Sequence, residues 1–379
     1  MNSEKNCKII NLFILIFFYL VASVIIVISI KNKEFHPYTF TSYLLTYDKG
    51  FISRGIIGTV YSFLFNDDNL INGFIYTNII FNIILCGWFL FNITKLIKNN
   101  NENLLLSLSF CSFPIFYFWI PKFFGRIEIF WYLGFILILW CFKDLTTLKT
   151  FMIFILSAIC ILIHHGFLFL IAPFVCILFL EQNKKKEFLL YGFFMIFIFL
   201  ICQFMGKVDY NIMYNYVFNR INNSNIKLYY TSEYSRNEAD IMLQYEFKIP
   251  IWEHIKVLKQ GIVVISILAI SILLTHIINI SAIRKILSSF YSINKKVLFY
   301  FVMVISSLVV LCGLTIDWNR WVILFILSLQ FFTIFKLNTT NVDLKCKFNN
   351  NSDTYILPIL NIILLVALAA FHFRFMFYY

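Results

Sequence analysis

Apolar runs long enough to cross a bilayer recur along this chain, and no other feature restricts its possible folds so severely. Read by length and by where charge returns, they lie near residues 9–30, 72–94, 104–120, 128–142, 150–163, 167–180, 188–205, 261–280, 297–316, 321–336 and 355–371. A helix needs roughly 20 apolar residues to span the hydrocarbon, because in lipid every backbone N–H and C=O must be satisfied inside the segment. The runs are continuous rather than alternating at period two, which argues against a barrel. The expected fold is all-α: a polytopic transmembrane helix bundle of about eleven spans, forming one integral membrane domain over residues 1–379. A further apolar piece at 56–65 is too short to cross upright and reads as re-entrant or interfacial. If it crosses, the spans become twelve and sidedness inverts downstream.

Charge supports the membrane class. Asp, Glu, Lys and Arg make up only 13% of the chain, against about a quarter in soluble proteins. The first run, Ile9 to Ile30, is too long for a signal-peptide core and is followed by Lys31-Asn32-Lys33 with no small-residue cleavage pattern, so it reads as a retained first span. The nine cysteines fall almost wholly inside apolar runs and read as small buried residues, with neither a disulfide framework nor a CxxC pattern. No metal and no cofactor are expected. The +12 net charge suits anionic lipid or a phosphate-bearing ligand, and no basic-aromatic module points to nucleic acid.

With the amino terminus inside, the short lysine-rich segments around 98–101 and 184–186 fall on the inner side, as they should, together with the Asn-rich stretch 338–353. The outer face then collects the mixed-sign clusters: Asp48/Arg54, Lys122/Arg126/Glu128, His164/His165, Asp317/Arg320 and the loop 206–260. That loop is far longer than a connector requires, and such loops are usually functional. In it Tyr210, Met213, Tyr214, Val217, Phe218 and Ile221 recur at helical spacing, predicting an amphipathic helix on the membrane surface. Asn222-Asn223-Ser224-Asn225 breaks it, and a second short helix, 251–259, follows Pro250. The loop's tyrosines form either an interfacial belt or platforms for sugar rings.

The clusters can do chemistry. Asp48 and Arg54 flank a glycine-bearing segment, Tyr47-Asp48-Lys49-Gly50-Phe51-Ile52-Ser53-Arg54-Gly55-Ile56-Ile57-Gly58. A carboxylate and a guanidinium beside an apolar wall mark a site unless they merely anchor each other. Arg126 opens a helix, where a cation opposes the dipole unless Glu128 or an anionic ligand offsets it. His164 and His165, about 100° apart on a helix, cannot easily share a metal, but one can move a proton. Asp317 and Arg320 either pair at i, i+3 or share an anionic ligand, since guanidinium forks suit phosphate oxygens. The expected catalytic groups are Asp48 and His165; the expected substrate-binding groups are Arg54, Lys122, Arg126, Glu128, Asp317 and Arg320. Outward arginines, carboxylates and an aromatic loop suit a ligand with an anionic head, a greasy tail and a ring-bearing body.

In its length, span number, Phe/Ile/Asn/Lys-rich composition, large outer loop and outward arginines the chain resembles the Wzy-type O-antigen and capsule repeat-unit polymerases. The likeness covers the whole architecture and rests on no diagnostic motif; Asp48 to Gly55 also resembles a signature found in bacterial membrane proteins. What the resemblance implies is polymerisation of undecaprenyl-pyrophosphate-linked oligosaccharide repeat units by glycosyl block transfer. It places a multi-pass protein in the bacterial cell inner membrane with its active face extracytoplasmic. Its partners would be the lipid-linked oligosaccharide, membrane lipids, a chain-length regulator and a flippase. Three alternatives stay open: a GT-C-like glycosyltransferase using a polyprenyl-phosphate sugar donor, with Asp48 as its outward acid; a lipid-linked oligosaccharide flippase or other transporter; and a membrane acyltransferase using His164-His165.

Overall fold

Apolar helices dominate the chain in space as in sequence. The computed structural model describes residues 36–52, 54–99, 124–205, 208–222, 224–247, 295–314 and 318–339, and every regular element among them is helical. The spans expected at 9–30, 104–120, 261–280 and 355–371, the helix expected at 251–259, and the site residues Lys122 and Asp317 lie outside the described residues.

The described residues fall into two compact units. The larger comprises residues 36–88 and 124–247. Its helices are α1 (Pro37–Thr41), α2 (Gly55–Leu64), the first part of α3 (Leu70–Asn99), α4 (Ile129–Cys141), α5 (Thr147–Ile163), α6 (Phe167–Leu170), α7 (Ala172–Glu181), α8 (Lys185–Met205), α9 (Tyr210–Asn222) and α10 (Glu233–Phe247). The smaller unit holds the end of α3 with α11 (Lys295–Leu314) and α12 (Trp318–Thr339), which pack on each other. There Phe89 meets Phe331 at 5.8 Å between ring centroids, and the Asn338 amide donates to the Asn92 backbone carbonyl at 3.3 Å.

In the larger unit α4 packs on α5, α5 on α8, and α8 on α7. The α4–α5 contact is close: Trp131 Nε1 donates to the Cys160 carbonyl at 3.1 Å. Phe154, Phe179 and Tyr191 interlock between α5, α7 and α8, and Tyr191 donates to Ser157 Oγ at 2.9 Å, so its one polar atom is satisfied inside the bundle. Local signals stop and start these helices. Thr146 Oγ1 accepts from Lys149 N at the head of α5. Asn183, at φ 58, ends α7 in the left-handed conformation while Lys184 N donates to the Phe179 carbonyl.

Two helices among the described residues are long and apolar enough to cross a membrane: residues 70–89 of α3 and all of α8. The run expected to span at 167–180 is instead two helices, because Pro173 cannot donate to the preceding turn and its ring crowds the carbonyl four residues back. The run expected at 128–142 is a 13-residue helix, about 20 Å long. Of the most apolar stretch of α8, 17% is buried, compared with 44% for α3. Leu190, Phe193, Ile196, Phe197 and Phe204 of α8 stand exposed, a contiguous apolar surface of the kind that marks contact with a membrane or another protein.

The amphipathic helix expected over 210–221 is α9, but its apolar stripe, Met213, Val217 and Ile221 at i, i+4, i+8, is buried against the protein itself rather than laid on a membrane surface. Asp209 Oδ1 caps it by accepting from Asn211 N and Ile212 N. The break at 222–225 leads into a 3₁₀ turn, Asn225–Tyr229, and then into α10, a helix that the apolar pattern did not reveal.

Candidate functional site

Five of the residues singled out by chemistry, Asp48, Arg54, Arg126, Glu128 and His165, belong to the larger unit, where a polar cap covers one end of the helices. The cap is built from the strap 36–69 and the segment 208–247, and its components are tied by hydrogen bonds across long sequence separations. Tyr230 is fully buried, and its hydroxyl shares a hydrogen bond with Thr41 Oγ1 at 2.9 Å. Arg220 of α9 donates from Nε to Asp67 Oδ1 at 3.1 Å and from Nη1 to the Leu44 carbonyl at 3.1 Å. His36 meets Tyr234 and Glu238 of α10, with Nε2 3.8 Å from the carboxylate.

The strap is shaped by its glycines. Gly58 lies so close to the Leu45 carbonyl that a Cβ would sit 1.9 Å from the oxygen, so α2 packs directly on the strap's backbone. Gly50 has φ 123, a conformation that side chains resist, and faces Val208. At the other end of α2, Asp67 meets Arg220 and Asp68 accepts from Asn225 N at 3.5 Å. The residues flanking both ends of this ten-residue helix thus meet the segment 208–225.

Asp48 sits in a 3₁₀ turn, Tyr47–Lys49, whose N-cap Thr46 accepts from Asp48 N. Its carboxylate is exposed and accepts from the Tyr216 hydroxyl at 2.6 Å. That hydrogen bond, and next the one to Thr46, holds the Asp48 carboxyl below its ordinary range, so it is ionised at neutral pH. Desolvation, and then the Asp48 bond, push the Tyr216 phenol up. Tyr47 stacks on Phe51 at 5.6 Å; burial pushes its phenol up to about 12, and its hydroxyl makes no hydrogen bond among the described residues.

Arg54 is the half-buried N-cap of α2. Arg126 and Glu128 lie in the turn that opens α4. Gly125 there has φ 79, and a Cβ on it would strike Phe74 at 2.1 Å. The Arg126 guanidinium lies over the Tyr38 ring of the strap at 5.1 Å, a cation–π contact, while Glu128 is buried at the N-cap of α4. Tyr43 of the strap donates to the Gly125 carbonyl at 2.7 Å, locking this turn beneath the cap.

His164 and His165 lie at the junction of α5 and α6 with ring centroids 4.7 Å apart. His164 is buried against Trp131 at 5.2 Å, and its Nδ1 accepts from Gly166 N at 3.0 Å, which assigns a neutral ring proton to Nε2. His165 is half-buried beside Phe199 of α8 at 6.1 Å. Tyr47 is the electrostatic neighbour of Cys202, one turn further along that helix. Strap and histidine junction therefore reach the same last turns of α8.

The structure thus brings Asp48, Arg54, Arg126, Glu128 and His165 to one end of one unit. Arg320 is buried near the start of α12 in the other unit, its guanidinium 4.2 Å from the Trp321 ring. Two of the loop tyrosines serve as neither belt nor platform: Tyr216 and Tyr230 are ties to the strap. Sequence reasoning missed Tyr216 and the Arg220–Asp67 pair. Their partners lie 168 and 153 residues away, and neither local spacing nor composition links them. Among the described residues no group of His, Cys, Asp and Glu is arranged to hold a metal ion. No protein-family model, curated protein or solved structure matches this chain.

Proposed function

We propose that the protein is a multi-pass enzyme of the bacterial inner membrane that polymerises lipid-pyrophosphate-linked oligosaccharide repeat units at the extracytoplasmic face. The observation that carries this reading is that an ionised acid and an arginine of the strap, an arginine and a buried glutamate of the turn tied to it, and a histidine lie at one end of one unit. The cap stands at one end of helices whose outer surface is apolar. The exposed apolar face of α8 supports a lipid surround, and the remaining spans of an eleven-helix bundle are supplied by the apolar runs of the sequence.

In the proposed reaction the acceptor hydroxyl attacks the anomeric carbon of the donor glycan. The bond from that carbon to the pyrophosphate oxygen breaks, and the lipid pyrophosphate leaves with the bonding electrons. The acceptor proton passes to a base. Asp48 suits this role: it is ionised, exposed and held in one orientation by Tyr216. His165 is the second proton-transfer group. Arg54 and Arg126 would bind the pyrophosphate, most strongly as its charge grows in the transition state. Glu128, buried at the N-cap of α4, would be the remaining substrate-side acid.

The second reading, a transferase using a polyprenyl-phosphate sugar donor, draws on the same exposed Asp48 in the first outer loop and differs in its donor. Deletion of the gene is expected to leave single repeat units and no long ladder on a polysaccharide gel. Arg54→Ala and Arg126→Ala should reproduce that loss with the protein still in the membrane fraction. Intact ladders in both variants would overturn the pyrophosphate role, and loss of the single units as well would favour the monosugar donor.

A further inference from the structure

Between α9 and α10 lies an open cleft of about 690 Å³, within the range of small-ligand sites. We infer that this cleft binds a neutral, hydroxyl-rich oligosaccharide, serving as the docking groove for the glycan end of the substrate proposed above, on which reading its biological role rests. The argument starts from the spacing on α9. Asn215, Asn219 and Asn222 stand at i, i+4 and i+7, so three amides share one helix face and reach the cleft together. Each amide offers both donors and an acceptor, matching a sugar hydroxyl, which is also both.

Across the cleft α10 presents Glu233, Asn237 and Asp240. Asn215, Asn219, Asn237 and Glu233 make no side-chain hydrogen bond among the described residues, whereas Asn222, Arg236 and Asp240 are already engaged. Arg236 donates to the Tyr230 carbonyl and to Asn222, and Asp240 accepts from Tyr210 and Gln244. One end of the wall is aromatic: Tyr214 and Phe218 stack at 4.3 Å with their planes 27° apart, forming a continuous apolar strip against which the C–H face of a sugar ring can lie.

Charge selects among ligands. The lining carries two carboxylates and one guanidinium, and the guanidinium is committed to internal contacts. An anionic headgroup or phosphate would meet repulsion here, whereas hydroxyl groups can donate to the carboxylates. A peptide would need backbone partners along an edge or an apolar groove for its side chains, and amides in a row on a helix supply neither.

The full-length protein in detergent, applied to an array carrying neutral di- to tetrasaccharides, uronic-acid and sulfated glycans and acidic peptides, tests this directly. The expected result is binding to neutral glycans over the anionic ones, reduced at least about tenfold by Asn215→Ala combined with Asn219→Ala. Glu233→Gln should weaken it less. These asparagines are exposed, so the variants keep the fold; an unchanged melting temperature checks that. No neutral glycan bound, equal binding by the double variant, or preference for anionic glycans or peptides overturns the proposal. If the cleft binds glycan while gene deletion leaves polysaccharide ladders intact, the cleft stands and the polymerase reading falls. If ladders need Asp48 but no glycan binds, the reverse holds.

Discussion

The cap and the bundle beneath it are held by different forces. In the bundle, α5, α7 and α8 meet through Phe154, Phe179 and Tyr191, and the one buried hydroxyl finds Ser157. In the cap, the strap meets α9 and α10 through Tyr230–Thr41, Arg220–Asp67 and Tyr216–Asp48. Apolar contacts are indifferent to pH and salt, whereas the cap's polar ties are sensitive to both. On the proposed reading this is the division a membrane enzyme needs: a bundle that survives in lipid and a water-facing layer that can yield to a substrate.

The largest effect should come where the two principles meet. Tyr230 is a cap residue buried as completely as any in the bundle, against Phe40 and beneath α10. Tyr230→Ala should cost about 3–5 kcal/mol by leaving a cavity. Tyr230→Phe should cost only about 1 kcal/mol, losing the bond to Thr41. Thermal melts of the purified protein separate the two, and near-equal losses would mean that the cap depends on that hydrogen bond rather than on packing.

The next effect tests the bundle's surface. Leu200→Arg on the exposed face of α8 should cost about 2.5–3.5 kcal/mol of insertion if that face meets hydrocarbon, and should deplete the protein from the membrane fraction. Ile241→Arg on α10, similarly exposed, should leave the yield unchanged. Equal yields from both would remove α8 from the membrane and with it the asymmetry between the two regions.

The bundle was far more legible in the sequence than the cap. A run such as 188–205 has to be a helix because its backbone has no other way to satisfy itself in an apolar setting, and α8 over Lys185–Met205 follows. The stripe Met213, Val217, Ile221 revealed α9 by period alone. The split of 167–180 was signalled by Pro173 but outweighed by continuous hydrophobicity. Helix α10 was invisible because Glu233 to Phe247 is polar with a weak stripe; its buried Ala239, Met242 and Leu243 acquire meaning only when α1 and α9 are present to cover them. Asp48, Arg54, Arg126 and Glu128 were found by the cost of charge beside an apolar wall. Tyr216 escaped because tyrosine carries no such cost.

A middle-sized effect distinguishes a tie from a passenger within the cap. Arg220 reaches Asp67 and the Leu44 carbonyl together, and its side chain is largely withdrawn from solvent. Arg220→Ala should cost about 1.5–3 kcal/mol, the range for hydrogen bonds to charged groups. Arg220→Lys should recover only part, since an ammonium cannot repeat the fork. Amide hydrogen exchange should rise in α9 and in residues 66–69 while α5 and α8 stay protected. Uniform loosening of the whole unit would show that cap and bundle form one cooperative block.

The smallest effect carries the most information about the site. Tyr216→Phe removes the bond to Asp48 and the shared contact with Thr46; because solvent reaches the pair, the expected cost is about 0.5 kcal/mol. Its pH dependence has a definite sign. The folded Asp48 carboxyl lies below its ordinary 3.8, chiefly because Tyr216 donates to it, so its contribution is complete above that value and is lost as pH falls through the lower, folded one. The Tyr216 phenol is raised above its ordinary 10.0, first by desolvation and then by Asp48, so the protonated donor persists below 10.0 and the tie is lost as pH climbs through the higher, folded value. A double-mutant cycle with Asp48→Asn, read by thermal melts at acid, neutral and alkaline pH, should show coupling only at neutrality. Coupling that persists in acid would mean that Tyr216 holds the strap through Thr46 alone, leaving the Asp48 carboxylate free to turn away from α9.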